Sequence, residues 1–241
     1  MGRLVLASCL ALACPSCAPP PTTWHGATPE TWPALKAALA DERASRTTRP
    51  WTAEVRVALR EPRSGRVILG RGGLAVVPGQ ALRMILVGVA GMTMLDAWVT
   101  RERWRVAVPP LGVLRRGAAD DPGDLPIGFL RAWFFTPLEG RLFAAQREGA
   151  SSTWLLRDAG AVVEVQAGTC ERGARLLETR RTRGHLESID ECRAGADPTD
   201  GDHVRYEDAT TGLVADLTLD DVSAAPPAPE AFGDPDREPA P

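Results

Sequence analysis

Hydrophobic and polar residues alternate along most of the chain from Trp51 onward. In the first run, Ala53, Val55 and Val57 are interleaved with charged residues, a period of two that is typical of strands with one buried face. Clusters of Pro, Gly and Asp interrupt the alternation and mark turns. After the strand that begins at Trp51, the pattern predicts strands at about 66–77, 81–88, 92–100, 103–108, 141–147, 152–158, 161–167, 174–181, 185–191, 203–208 and 212–219.

Two segments have the period of a helix instead. Ahead of the strands, Trp32, Leu35, Ala38 and Leu39 fall on one face of a helix predicted at about 31–45. Between the two groups of strands, Asp124 is placed to cap a second helix, LPIGFLRAWF. Apolar residues occupy more than one side of this second helix, so we expect it to be buried on more than one side.

The order of elements is therefore helix, strands, helix, strands. Strands that follow one another through short connections pair antiparallel, and a sheet with so many strands curls around its apolar face. We predict a mainly β domain over residues 29–222. Its sheet is expected to be antiparallel and long enough to curl into a barrel or part-barrel, with the two apolar helices packed against the inner face.

Composition and motifs indicate no nucleic-acid binding and no catalysis. The formal net charge is −3, so the chain lacks the basic footprint of a nucleic-acid-binding protein. The three histidines lie far apart, and no serine or cysteine nucleophile has a base at a useful spacing. The stretch Asp197–Asp202 lacks the register of a calcium loop and is typical of a turn. We expect no enzyme activity, no metal and no cofactor.

The N-terminus has the pattern of a secretion signal. Arg3 precedes the apolar run Leu4–Ala13, which is shorter than the roughly 20 residues that span a bilayer. Small residues stand just before Cys14, an arrangement that resembles a bacterial lipobox. We expect a signal peptide at residues 1–13 and lipidation of Cys14. The alternatives are an ordinary cleaved signal and a metal or redox site formed with Cys17.

Proline-rich segments flank the predicted domain. Residues 14–28 are expected to be an extended tether and residues 223–241 a disordered tail. In an oxidising compartment, Cys170 and Cys192 are candidates for a disulfide. Their strands end at the same rim, two strand spacings or about 9–10 Å apart. A bond therefore requires both loops to curl over the middle strand.

The order of several motifs resembles the LolA/LolB-like lipoprotein localisation factors. PGQALRMILVGVAGMTMLDAWVTRERWRVAVPP is similar to two strands of that family joined by a protruding loop and followed by a strand that carries tryptophan. Leu130-Arg131-Ala132-Trp133 resembles the LolB-type Leu-Arg-x-Trp, and TGLVADLTLDDVSAAPPAPEAF resembles the family's closing segment. The resemblance is closer to LolB, itself an outer-membrane lipoprotein, than to soluble LolA.

This resemblance implies a mainly β fold, an antiparallel, strongly curved, half-open β-barrel with an N-terminal helix and an internal lid or plug helix. It also implies an apolar cavity in the barrel that receives acyl chains. The side chains expected to line it are Met94, Trp98, Trp104, Phe129, Leu130, Trp133 and Trp154. Packing in a filled core is the alternative for each of them. The loop formed by Val89, Ala90, Gly91 and Met92 is expected to contact a membrane or a partner, although Ala90 stands where LolB has leucine.

Two functions are consistent with these expectations. The first is a periplasmic lipoprotein, anchored to the outer membrane, that binds acyl chains as an acceptor or carrier of lipoproteins or other lipids. Its expected partners are lipid acyl chains or lipoproteins, the membrane, and a periplasmic LolA-like carrier. The second is a structural or protein-interaction lipoprotein in which the same fold has a filled core. An accessible apolar cavity distinguishes the two.

Overall fold

Thirteen antiparallel strands form one sheet in a computed structural model of the protein. The structure describes residues 24–62, 64–88, 91–118, 130, 138, 140–158 and 160–236. The expected signal peptide and Cys14 lie outside them. The helix α1 spans Trp32–Ala44. The strands are β1 (Trp51–Arg60), β2 (Val67–Val77), β3 (Ala81–Val87), β4 (Thr93–Thr100), β5 (Arg103–Val108), β6 (Val113–Ala118), β7 (Arg141–Glu148), β8 (Ser151–Asp158), β9 (Ala161–Cys170), β10 (Gly173–Thr182), β11 (His185–Arg193), β12 (His203–Asp208) and β13 (Leu213–Ser223).

The strands form one continuous sheet that is curved and half-open. Its strand order is β6-β5-β4-β3-β2-β1-β13-β12-β11-β10-β9-β8-β7, so β6 and β7 are the two edges. Every neighbouring pair is antiparallel, and only β1 and β13 are neighbours that do not follow one another in sequence. The mainly β, antiparallel, half-open architecture is thus confirmed. Across the described residues, no helix is long and apolar enough to cross a membrane.

The predicted elements agree with the structure except at one strand. The helix at 31–45 is α1, and each predicted strand has a counterpart whose ends differ by a few residues. Strand β6 was not predicted; it is an edge strand held by its pairing with β5. The second predicted helix lies outside the described residues apart from Leu130, which is helical and buried.

Alternating side chains give the sheet an apolar inner face. The inner face carries α1 and two separate clusters of buried apolar residues, one reaching across β13 and β1–β5 and the other across β7–β10. Strand β2 runs close to β3 at Gly72, where an added Cβ would lie 1.8 Å from the carbonyl oxygen of Ile85. Only glycine permits that backbone approach.

The candidate disulfide is present at the rim opposite the β1–β2 turn. Cys170 ends β9 and Cys192 lies in β11, and their Cα atoms are 6.0 Å apart across β10. This is less than two strand spacings, so the β9–β10 hairpin departs from the plane of the sheet. The bond joins β9 to β11 independently of the backbone hydrogen bonds.

The C-terminal segment lies against the outer face of β4–β6 as far as residue 236. The sequence predicted a disordered tail from residue 223, whereas Pro229–Phe232 forms a short 3-10 helix here. The indole Nε1 of Trp98 donates to the carbonyl oxygen of Phe232 at 2.9 Å. Asp234 pairs with Arg103 at 2.7 Å. The segment therefore covers a tryptophan that would otherwise face water.

Residues 24–28, at the end of the expected tether, run beside the edge strand β7. The amide of Ala27 donates to the carbonyl oxygen of Ala145 at 2.8 Å. The amide of His25 donates to the side-chain oxygen of Gln146 at 3.0 Å. These bonds satisfy part of an edge that would otherwise expose unpaired backbone groups.

Replacing both disulfide cysteines by serine is expected to lower the free energy of unfolding by about 3 kcal/mol, because the bond closes a loop of 22 residues in the unfolded chain. Urea unfolding of the Cys170→Ser/Cys192→Ser protein measures the change. Cys17→Ser is the matched control and should leave the midpoint unaltered. An unchanged midpoint in the double variant would contradict the prediction.

Candidate functional site

The larger apolar cluster of the inner face, here named lobe A, is the candidate binding surface. It is built from alternate side chains of β13 and β1–β5, together with residues of β11 and β12 at its border. The register of the strands brings these side chains into rows, as in Leu74, Met84 and Ala97 across β2, β3 and β4. Leu130 is the single described residue outside the strands that belongs to the cluster.

Trp104 forms the edge of lobe A on β5. It is directly opposite Gly117 of β6, and an added Cβ on that glycine would lie 2.6 Å from the indole ring. The missing side chain of Gly117 thus creates the space in which the ring lies. Of the side chains expected to line a cavity, Trp104 and Leu130 are the two that the structure places in lobe A.

The second cluster, here named lobe B, is filled by helix α1. Leu35 and Leu39 of the helix are buried against Ala145, Trp154 and Val165 of the sheet. The indole Nε1 of Trp154 donates to the carbonyl oxygen of Leu35 at 2.9 Å. Trp154 is therefore part of a filled core and is separate from the surface that carries Trp104, contrary to the expected common lining.

A groove remains between α1 and the edge strand β7. Its volume is about 580 Å³, and Arg43 crosses it to donate to the carbonyl oxygen of Leu138 at 2.7 Å. Lys36 and Arg141 also line it, so charged groups border its apolar floor. It is open at the side of the sheet and is separate from lobe A.

Among the described residues, Trp98 and Met94 were also expected to line the cavity, and neither belongs to lobe A. Trp98 is paired with Arg83 and Arg105, which places it on the outer face, under the C-terminal segment. Met94 is half-buried at the start of β4, with its side chain next to Gly88. Phe129 and Trp133 lie outside the described residues, as do Val89 and Ala90 of the expected loop.

Charged residues divide the inner face between the two lobes. On β10, Glu178 and Arg180 point inward, and on β11 Glu187, Glu191 and Arg193 do so, since they alternate in register with buried apolar residues. Asp208 continues this row on β12. We name these six residues the acidic stripe; all but Arg180 are less than 9% exposed.

Arginines pair with part of the acidic charge. Arg46 bonds Glu191 at 2.6 Å and Arg193 bonds Glu42 at 2.5 Å. Closer to the β10–β11 turn, Arg180 forms an ion pair with Asp158 of β8 at 2.7 Å. Such pairs offset the large cost of removing ions from water. They fix the stripe between the two apolar clusters.

Hydrogen bonds hold two further carboxylates. The hydroxyl of Tyr206 donates to Glu187 at 3.1 Å, and burial raises the pKa of this tyrosine so that it remains a donor. Asp208 accepts from the amides of Thr210 and Thr211. His185 lies 3.6 Å from Glu187 and 3.7 Å from Asp208, on the solvent side of both.

Glu178 has a different environment. Its strand neighbours across the inner face are Val165 and Ile189, both apolar and buried. Among the described residues none donates a hydrogen bond to its carboxyl group. Burial raises the pKa of Glu178 to about 7; the charge of Arg180 opposes the shift and that of Glu187 adds to it.

The large apolar side chains that remain exposed gather at one end of the sheet. This end, here named the hairpin rim, carries the β1–β2, β3–β4 and β8–β9 turns. Each exposed large apolar residue of the described chain lies within three residues of a strand end at this rim. They are Val67, Ile68, Leu69, Ile85, Met92, Leu114, Phe143 and Val162. Exposed arginines share the rim, among them Arg60, Arg66, Arg141, Arg157, Arg181 and Arg183.

One other grouping has residue types that bind metals. Cys170, Glu171 and Cys192 lie within ligand distance of one another. The two sulfurs are joined to each other, which leaves no thiolate to coordinate an ion. The grouping is thus explained by the disulfide.

Comparison with one solved structure decides the fold. A LolA-superfamily protein from Nitrosomonas europaea aligns over 83% of this chain and 97% of its own, with a TM-score of 0.50 and 12% identity. The chain has the LolA-superfamily fold. A putative outer membrane lipoprotein-sorting protein domain from Vibrio parahaemolyticus aligns over 83% of this chain and 97% of its own, with a TM-score of 0.44 and 11% identity. No protein-family model and no curated protein matches the sequence.

Within this LolA-like fold, the acidic stripe is the feature that sequence reasoning missed. Alternation is ordinarily interpreted with the charged residues outward, and that rule would place Glu187 and Glu191 in solvent. The sequence nevertheless indicated the inner face, because Glu187 and Glu191 lie on the same side of the strand as the apolar residue Ile189.

Glu178→Gln is expected to stabilise the protein above pH 7 by about 3 kcal/mol, since a carboxyl group that ionises near pH 4.5 in the unfolded chain ionises near 7 when folded. The wild-type protein therefore loses stability as pH rises from 4.5 to 7, and the variant does not. Urea unfolding at pH 5 and pH 8 measures the difference.

Glu207→Gln, an exposed change on β12, is the matched control and should be neutral at both pH values. A difference between Glu178→Gln and wild type that is equal at pH 5 and pH 8 would show that ionisation of Glu178 does not limit stability.

Proposed function

We propose that the protein is an envelope lipoprotein, anchored through Cys14, that binds acyl chains against lobe A without catalysing a reaction. The observation that carries the proposal is the unequal use of the inner face. Helix α1 fills lobe B, whereas lobe A is wider and the described chain places only Leu130 over it. A wide apolar surface inside a curved sheet fits a ligand that is itself apolar and long.

The energetics favour an acyl ligand. Each buried methylene gains about 0.8 kcal/mol, so roughly 14 methylenes gain about 11 kcal/mol before the cost of ordering the chain. Lobe A contains few polar atoms at its centre, where Val76, Leu82 and Val99 meet. Binding and release then need no nucleotide or metal, because only apolar contacts are exchanged.

The hairpin rim supplies a route between this surface and a bilayer. Leu69 and Met92 are 71% and 62% exposed, and arginines flank them. Apolar side chains among basic ones are suited to the interface of an anionic membrane. Gly91 and Met92, the described residues of the loop expected from the sequence to contact a membrane or partner, belong to this rim. A lipid anchor at Cys14 on the periplasmic face of the outer membrane would keep the rim near lipid.

A scaffold function with a filled core is the second candidate. The observation in its favour is the near-complete burial of the lobe A side chains, with Leu82 at 0% exposed and Val99 at 1%. In that case the protein would present its surfaces to other envelope proteins and bind no lipid. The two candidates differ in one measurable property, the occupancy of lobe A by a ligand.

The Cys14→Ser protein is expected to bind a fluorescent acyl probe with an uncharged head group saturably, and lipid extracted from the purified wild-type protein should be detectable by mass spectrometry. Ala97→Phe, at the centre of lobe A, is expected to reduce the affinity for the probe at least tenfold because it occupies the space of the chain.

Ala75→Phe is the matched control, since residue 75 pairs with Thr52 on the outer face of the same sheet. Far-ultraviolet circular dichroism verifies that both variants fold. Absence of copurified lipid together with absence of saturable probe binding would favour the scaffold function.

Cys14→Ser is also expected to move the protein from the membrane fraction to the soluble fraction. The soluble protein should still associate with anionic vesicles, and Leu69→Gln or Arg66→Gln should weaken this association several-fold. Arg49→Gln, at the opposite end of the sheet, is the control for the loss of one exposed arginine. Equal effects of the two arginine changes would argue against a membrane-facing rim.

A further inference from the structure

We propose that the acidic stripe binds the cationic head of an amphiphile, an alkyl amine or amine-bearing lipid, whose hydrocarbon part lies in lobe A. This inference rests on the proposed function and specifies its ligand class. An uncharged acyl chain would use lobe A alone. The stripe adds a reason for the ligand to carry positive charge at one end.

The charged groups on the inner face have an excess of negative charge that a bound cation would offset. Among the described residues, three arginines meet six carboxylates in and around the stripe. The arginines are Arg46, Arg180 and Arg193; the carboxylates are Glu42, Asp158, Glu178, Glu187, Glu191 and Asp208. The arginine pairs account for Glu191, Asp158 and Glu42. Three carboxylates are left without an arginine.

Two of those three are already held by the protein. Glu187 accepts from Tyr206, and Asp208 accepts from the amides and hydroxyl of its own turn. Both are within 4 Å of the His185 ring. Glu178 remains, with 7% of its surface exposed and no donor among the described residues.

A buried carboxyl group without a donor is costly, and proteins rarely retain one without a use. The groups that face Glu178 are Arg180 on its own strand, Glu187 and Glu191 on β11, Arg46 beyond α1, and Asp158 on β8. Both arginines already have their own carboxylates. An ammonium group between Glu178 and Glu187 would neutralise charge that these arginines do not.

The position of Glu178 connects the stripe to lobe A. Its cross-strand neighbour Ile189 belongs to the lobe A cluster, as do Val204 and Tyr206 on the next strand. A ligand with its head at Glu178 therefore has its chain directed over β12 and β13 toward β1. A fatty-acid carboxylate or a phosphate would instead face unpaired negative charge and be repelled.

The experiment compares three twelve-carbon ligands of different charge. Dodecylamine, dodecanol and dodecanoate, each below its micellar concentration, compete with the fluorescent probe on the Cys14→Ser protein at pH 5.5 and pH 8. Dodecylamine is a cation at both pH values, whereas Glu178 ionises between them. We expect dodecylamine to bind about tenfold more tightly at pH 8 than at pH 5.5, and dodecanol to bind equally at both.

Glu178→Gln should abolish the preference for dodecylamine over dodecanol at pH 8 and leave the affinity for dodecanol intact. Glu207→Gln, on the outer face, should preserve the preference. If dodecylamine binds no better than dodecanol, or if its pH dependence persists in Glu178→Gln, the inference is overturned. Failure of dodecanol and the probe to bind at all would instead overturn the proposed function.

Discussion

The pairing of β1 with β13 is the contact on which the rest of the structure depends. Every other pair in the sheet joins strands that follow one another in sequence, whereas this one joins the first strand to the last. Its register sets Val57 against Leu217 and thereby aligns the apolar face of β1–β6 with that of β7–β13. A slip of one residue would turn one half of the sheet inside out. On the outer face, an ion pair between the guanidinium group of Arg56 and the carboxylate of Asp220 reinforces this pairing.

Because both halves then share one inner face, that face is large enough to serve two purposes. Helix α1 packs on β7–β10 and makes a conventional core there. The acidic stripe separates this core from lobe A, and its arginine pairs recover part of the cost of placing charge inside the curve. An apolar residue at Glu178 would have been cheaper for stability alone. The cost of burying Glu178 is consistent with the ligand site proposed for the stripe.

The sequence was sufficient for the elements and insufficient for the assignment of faces. Strand β5 was predicted with its observed ends because Trp104 and Val106 alternate with charged neighbours. Strand β6 was missed since consecutive arginines at 115 and 116 break the alternation, and only pairing with β5 makes it a strand. Trp98 was expected to line the cavity because of the family resemblance. Trp98 is two residues from Asp96 in the same strand, so the two side chains share a face, and the charge of Asp96 indicates that this is the outer face.

The C-terminal segment shows why composition also misled. Proline-rich, acidic sequence predicts disorder when it has no partner, but here the outer face offers one. Arg105 and Arg116 hold Asp236, and the bond from Arg116 lowers the pKa of that carboxyl group so that it remains charged. The segment then seals Trp98 from water. Because the chain itself covers the outer tryptophan, lobe A on the inner face is the surface proposed for a long apolar ligand.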